Sequence, residues 1–143
     1  MSDSSSCESK LLFMLLARLN DQMTDIRRLL SASPFVRTAS TWRDLTTTRD
    51  SMEPDGEYAV FDTCVEVETR GGEALVWSVE IRLTSKSWRL HRDISKVEEY
   101  GAQTIMSFEG ATFDRFAEME ERVPALVDEF VEFARTFDFT LKA

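Results

Sequence analysis

Between residues 74 and 83 the chain alternates without interruption. Leu75, Trp77, Val79, Ile81 and Leu83 take turns with Ala74, Val76, Ser78, Glu80 and Arg82. A period of two belongs to a strand with one covered and one open face. The segment before it offers a matching set, Ala59, Phe61, Thr63, Val65 and Val67. A two-residue Gly71-Gly72 turn would put Val67 opposite Val76 and Phe61 opposite Arg82, so that core opposes surface along the whole ladder. A three-residue loop, Arg70-Gly71-Gly72, instead gives Val67–Leu75, Val65–Trp77, Phe61–Ile81 and Ala59–Leu83. Such a loop ends at positive φ, which Gly72 supplies. The next hairpin needs only Ser85-Lys86, and its core pairs are Leu83–Trp88, Ile81–Leu90 and Trp77–Ile94.

The expected strands are therefore Tyr58–Thr69, Glu73–Thr84, Ser87–Ile94 and roughly Ala102–Phe108, with "TWRDLTTT" (41–48) a candidate edge strand. Leu11, Leu12, Leu15, Leu16, Leu19, Ile26, Leu29 and Leu30 recur at helical spacing and predict a helix from about Glu8 to Leu30, ending before Pro34. Phe116, Met119, Val123, Leu126, Phe130, Phe133 and Phe137 make one apolar seam on a helix of about Phe113–Phe137. Pro124 lies inside it, so a kink is expected, with the seam in phase on both sides. The fold class is α+β: an N-terminal helix, a four- to five-stranded antiparallel β-meander, and a long kinked C-terminal helix packed on one sheet face. One domain spans 1–143, with residues 1–7 a disordered Ser-rich leader.

Arg92 is the misfit. Alternation turns it inward between Leu90 and Ile94, opposite Val79. A buried guanidinium is costly unless paired, so it must reach an edge or meet an acid, for instance from the C-terminal helix.

Composition narrows the function. With 43% apolar and 30% charged residues the chain is globular, and its net charge of −9 disfavours nucleic acid as a partner. Residues 96–143 hold eleven acids against five bases and so carry −6 of that charge. The apolar run 11–17 is too short to cross a bilayer and lacks a signal-peptide pattern, so no membrane role and a cytoplasmic location are expected. The two cysteines, Cys7 and Cys64, read as free thiols.

No phosphate-binding glycine loop and no G-x-S-x-G occur. The acids Asp50, Glu53, Asp55 and Glu57 around Gly56 lack calcium-loop spacing. His91 lines up with Glu80 and Asp62 on the open face. Cys64 lies two strands from His91 in another row, roughly 10 Å away, too far for thiol activation. Neither a metal, a cofactor nor an enzymatic site is expected. The expected function is a non-enzymatic acidic module that neutralises or chaperones a basic protein, as toxin-immunity proteins and secretion chaperones do. Its binding residues would be Glu121, Asp128, Glu129 and Glu132 on the C-terminal helix, with Glu118 beside them. Phe13 and Met14 lie on the far side of the N-terminal helix and call for a homodimer or fixed partner to cover them. The alternative is a small hydrophobic ligand held between the sheet and the C-terminal helix by Phe61, Trp77, Trp88 and Phe130.

Overall fold

The computed structural model describes residues 2–47, 57–84 and 86–139. In chain order these form α1 (Ser2–Ser31), β1 (Val36–Thr47), β2 (Glu57–Thr69), β3 (Ala74–Thr84), β4 (Trp88–Glu98), β5 (Gly101–Ser107), β6 (Ala111–Phe113) and α2 (Phe116–Arg135). The strands make one antiparallel sheet in the order β1-β2-β3-β4-β5, with β6 also pairing with β4. Both helices lie on the same side and pack on each other, α1 over β1 and β2, α2 over β4 and β6.

The hairpin register follows the alternation. Val67 faces Leu75, Val65 faces Trp77 and Phe61 faces Ile81. Gly72 has φ 87°, and the Thr69 N–H closes the loop onto the Glu73 carbonyl at 2.8 Å. Across the next hairpin Leu83 faces Trp88, Ile81 faces Leu90 and Trp77 faces Ile94. The inward residues meet Leu15, Leu19, Met23, Ile26 and Leu30 of α1, and Met119, Val123, Val127 and Phe130 of α2, in one buried core. Full burial of each such side chain contributes about 1.5–3 kcal/mol.

Several boundaries differ from the sequence expectation, among them the ends of β4 at Glu98 and of α2 at Arg135. α1 starts at Ser2 and not at about Glu8, because extending a nucleated helix costs far less than starting one. β1 begins at Val36 and not at Thr41. β6 occupies residues assigned to the C-terminal helix or its approach, with Phe113 opposite Trp88. Phe113 lies three residues before Phe116, so helical spacing alone could not exclude it from the helix. α2 consequently starts at Phe116 and continues through Pro124 as a single helix. Of the acidic loop 49–57 only Glu57 falls within the described residues.

Arg92 is buried at 4% exposure, as alternation requires. It donates to the carbonyls of Leu126 (2.7 Å) and Glu109 (3.0 Å), and meets Glu129 at 3.2 Å. The acid expected from the C-terminal helix is thus Glu129. The guanidinium also lies 5.0 Å from the centre of the Phe108 ring.

Candidate functional site

Both helices lie on one side, and among the described residues no helix or strand covers the other face of the sheet. Its central row crosses four strands: Asp44 of β1 opposite Asp62, Asp62 opposite Glu80, and Glu80 opposite His91. The adjoining row is Trp42, Cys64, Ser78 and Asp93, and on the other side lie Val60, Arg82 and Arg89. The sequence placed Asp62, Glu80 and His91 together. It missed Asp44, because the strand character of 36–47 is masked by the bulky residues Trp42 and Leu45 lying on opposite faces.

Three carboxylates stand directly opposite one another on three neighbouring strands. Like charges so placed destabilise a sheet. Arg82 relieves Glu80 at 2.6 Å. Asp62 accepts a 3.3 Å bond from the Cys64 thiol, whose sulfur also lies 3.4 Å from the Ser78 hydroxyl. Burial holds the Asp62 carboxyl above its ordinary range, with Glu80, Asp93 and Asp44 adding repulsion against the lowering effect of the thiol bond. Burial likewise raises Asp93, and Glu80 adds to it, while His91 and Arg82 oppose. Burial, reinforced by the charge of Asp62 and Glu80, pushes the Cys64 thiol up to about 12 although the Ser78 bond pulls it down. Cys64 is therefore a protonated, free thiol and a poor nucleophile at neutral pH.

The raised carboxyls have a consequence for stability. The folded chain holds these two protons more tightly than the unfolded chain does. That contribution is complete below the ordinary carboxylate value and disappears as pH rises through the raised one. Once the pH exceeds these raised values both groups are ionised and cost stability. Asp62→Asn and Asp93→Asn should each raise the thermal midpoint at neutral pH, with the advantage shrinking as the pH falls into the acid range. Melts across pH check this, and a lower midpoint at neutral pH would contradict it.

Of the residues proposed for a ligand pocket, Trp77 and Phe130 pack against each other, while Trp88 and Phe61 have other neighbours. Trp77 is fully buried, and its ring centre lies 5.2 Å from Phe130, 5.9 Å from Phe133 and 5.1 Å from Phe137. Trp88 stacks edge-on against Phe116 at 5.8 Å, and Phe61 packs at the margin of the core. A polar cavity of about 590 Å³ lies elsewhere, between Arg92, Glu109, Arg122 and Glu129. Neither tryptophan lines it.

The acids of α2 are not all free for a partner. Glu118, Glu121, Asp128, Glu129 and Glu132 are exposed, as expected. Yet Asp128 accepts from Gln22 of α1 at 2.8 Å, Glu129 meets Arg92, and Glu132 meets Arg135 at 3.3 Å. Phe13 and Met14 are both exposed on α1. Among the described residues no group of three or more His, Cys, Asp or Glu side chains is placed to hold a metal ion, and no helix is long and apolar enough to cross a membrane. No family model, curated protein or solved structure matches the chain.

Proposed function

We propose that this chain is a non-enzymatic protein-binding module for a basic partner, which docks on the open sheet face. The observation that carries this reading is the like-charge row Asp44–Asp62–Glu80, with Asp93 beside it. Folding alone disfavours such a row, and local conflicts of this kind are expected where function sets the residues. Lysine or arginine side chains of a partner would relieve it. The net charge of −9 supports the same reading by drawing a basic protein from a distance. The outer acids of α2 extend the field, with Glu118 and Glu121 its freest members, while Asp128, Glu129 and Glu132 are already engaged within the chain.

The test uses partner recovered by crosslinking to the chain in its own host. Association rates are measured for the wild type, for the sheet variant Asp44→Asn/Asp62→Asn/Asp93→Asn, and for the helix variant Glu121→Lys/Asp128→Lys/Glu132→Lys. The sheet variant should slow association by about tenfold at low salt. The difference should close at high salt, where the screening length falls to about 3 Å at 1 M. The helix variant should slow it less. Asp62→Asn and Asp93→Asn are expected to stabilise the fold, and a thermal melt of the triple variant separates slower binding from unfolding. An unchanged rate removes the sheet face from the reading, and a partner without a basic surface removes the reading altogether.

A further inference from the structure

The two edges of the sheet are built differently. The β5 edge is short, and the register slips between Ile94 and Ser95, leaving Ile105 as an extra residue. The edge is interrupted again before β6 takes over the pairing with β4. Bulges and breaks of this kind block pairing with another chain. Among the described residues, β1 has one such slip, at its start between Val36 and Thr38, and no other. It is twelve residues long, and from Thr38 to Thr47 it pairs with β2 without a slip. It contains neither lysine nor proline, and of its charges Arg37 is paired with Glu68 and Arg43 with Asn20 of its own chain, which leaves Asp44. Trp42 is 43% exposed on its open face and Leu45 is 62% exposed on the helix face.

The flank of α1 beside this edge is also uncovered. Arg43 of β1 donates to the Asn20 side chain, so that flank faces the edge. Phe13 stands seven residues before Asn20, two turns along the same flank, and is 72% exposed. β1 runs back along α1, so Leu45, two residues past Arg43, lies toward the Phe13 end. Met14 is turned 100° further round the helix, away from the edge.

We propose that β1 is the edge through which two copies of this chain pair, antiparallel about a two-fold axis, into one continuous sheet. A second copy fits where a lone extended peptide does not. A peptide would satisfy the strand and leave Phe13 bare. A second copy also brings its own α1. Each α1 lies over β1 and β2, so the two helices come to about 10 Å apart, two strand spacings, which is helix-packing distance. Charge restricts the register. Both helix faces must lie on one side, so residues of equal parity face each other. Among such registers, those that centre on Arg43, on Asp44 or on Ser40 place Arg against Arg or Asp against Asp. Centring on Trp42 or Thr41 avoids this and gives nearly full overlap. With Trp42 opposite its own copy, Leu45 faces Ala39 of the other chain, and the axis passes near Asn20. Phe13 then meets the other helix around Arg27, whose guanidinium suits an aromatic face. Antiparallel self-pairing of this kind closes after two chains and does not propagate.

Sedimentation of the wild type should give a dimer, and Phe13→Asp/Leu45→Lys should give a folded monomer, a twofold fall in mass with the circular dichroism spectrum kept. A nitroxide on Trp42→Cys, with Cys7→Ser to remove a second labelling site, should show dipolar broadening that vanishes on dilution with unlabelled chain. A monomeric wild type overturns the proposal, whether or not it captures an extended peptide along β1. So does a dimer that survives Phe13→Asp/Leu45→Lys and shows no broadening, which places the contact elsewhere. The double variant Asp62→Asn/Asp93→Asn, which lies off the β1 edge, should sediment as the wild type does, so the failure of the basic-partner reading and the failure of this one are separable.

Discussion

Replacing Trp77 by alanine should cost about 3–5 kcal/mol of folding stability, the range for truncating a large buried aromatic. Domains of this kind have only about 5–15 kcal/mol in total, so the thermal midpoint should fall by roughly 10 °C or more. The size of the effect follows from the surroundings of the ring. Trp77 is fully buried and touches three phenylalanines from α2 and the segment after it, at centroid distances of 5.1, 5.2 and 5.9 Å. Each such pair contributes about 0.5–1.5 kcal/mol beyond the buried area. Trp77→Phe should cost much less. It keeps a ring in place and removes the indole N–H, which is buried without a hydrogen-bond partner among the described residues. Urea unfolding of the two variants gives both numbers. If Trp77 lined a ligand pocket, alanine would leave stability nearly unchanged and abolish binding of an apolar ligand. A loss below about 1 kcal/mol would therefore restore that alternative.

What the sequence made legible was decided by local constraints. The strand alternation of 74–83 and the need for a positive φ in the preceding loop leave one workable register, and Gly72 supplies that φ. The α2 seam was legible for the same reason, since Met119, Val123 and Phe130 return at helical spacing to one buried face. β1 was only half legible. An edge strand need not alternate cleanly, because solvent reaches both of its faces, and Trp42 and Leu45 show this directly. β6 is three residues long, too short for any periodicity to register.

The candidate site was harder to read than the fold. The Asp62–Glu80–His91 row followed from the register alone. That row already set Asp62 against Glu80, and β1 deepens the conflict by adding Asp44. On α2 the solvent-facing acids were correctly placed, but helical spacing says nothing about partners distant in sequence. Gln22 lies 106 residues from Asp128, and Arg92 lies 37 residues from Glu129. Those two contacts reduce the free charge of the helix and move the weight of the functional argument to the sheet.

Arg92 gives the second large effect, and its variants separate two ways in which a buried cation can hold a fold. The ion pair with Glu129 is one. Glu129 is 63% exposed, so water screens the attraction and the pair is worth little. The other is the bridge that the guanidinium forms between the Leu126 carbonyl of α2 and the Glu109 carbonyl of the segment between β5 and β6, with Phe108 against its face. Bonds from a charged donor contribute about 1.5–3 kcal/mol each, and truncation also leaves a void. Arg92→Ala should therefore destabilise by about 3 kcal/mol. Arg92→Met fills most of the volume and should cost less. Glu129→Gln should cost under about 1 kcal/mol, and the coupling between Arg92→Met and Glu129→Gln in a double-mutant cycle should be equally small. In Arg92→Ala the amide of Phe108, bonded at 3.0 Å to the Arg92 carbonyl, should exchange faster with solvent, because the segment it anchors has lost its tie to α2. A coupling above about 2 kcal/mol would show the opposite hierarchy. Glu129 would then be a structural acid held by Arg92, and it would have to be struck from the charges of α2 that can reach a partner.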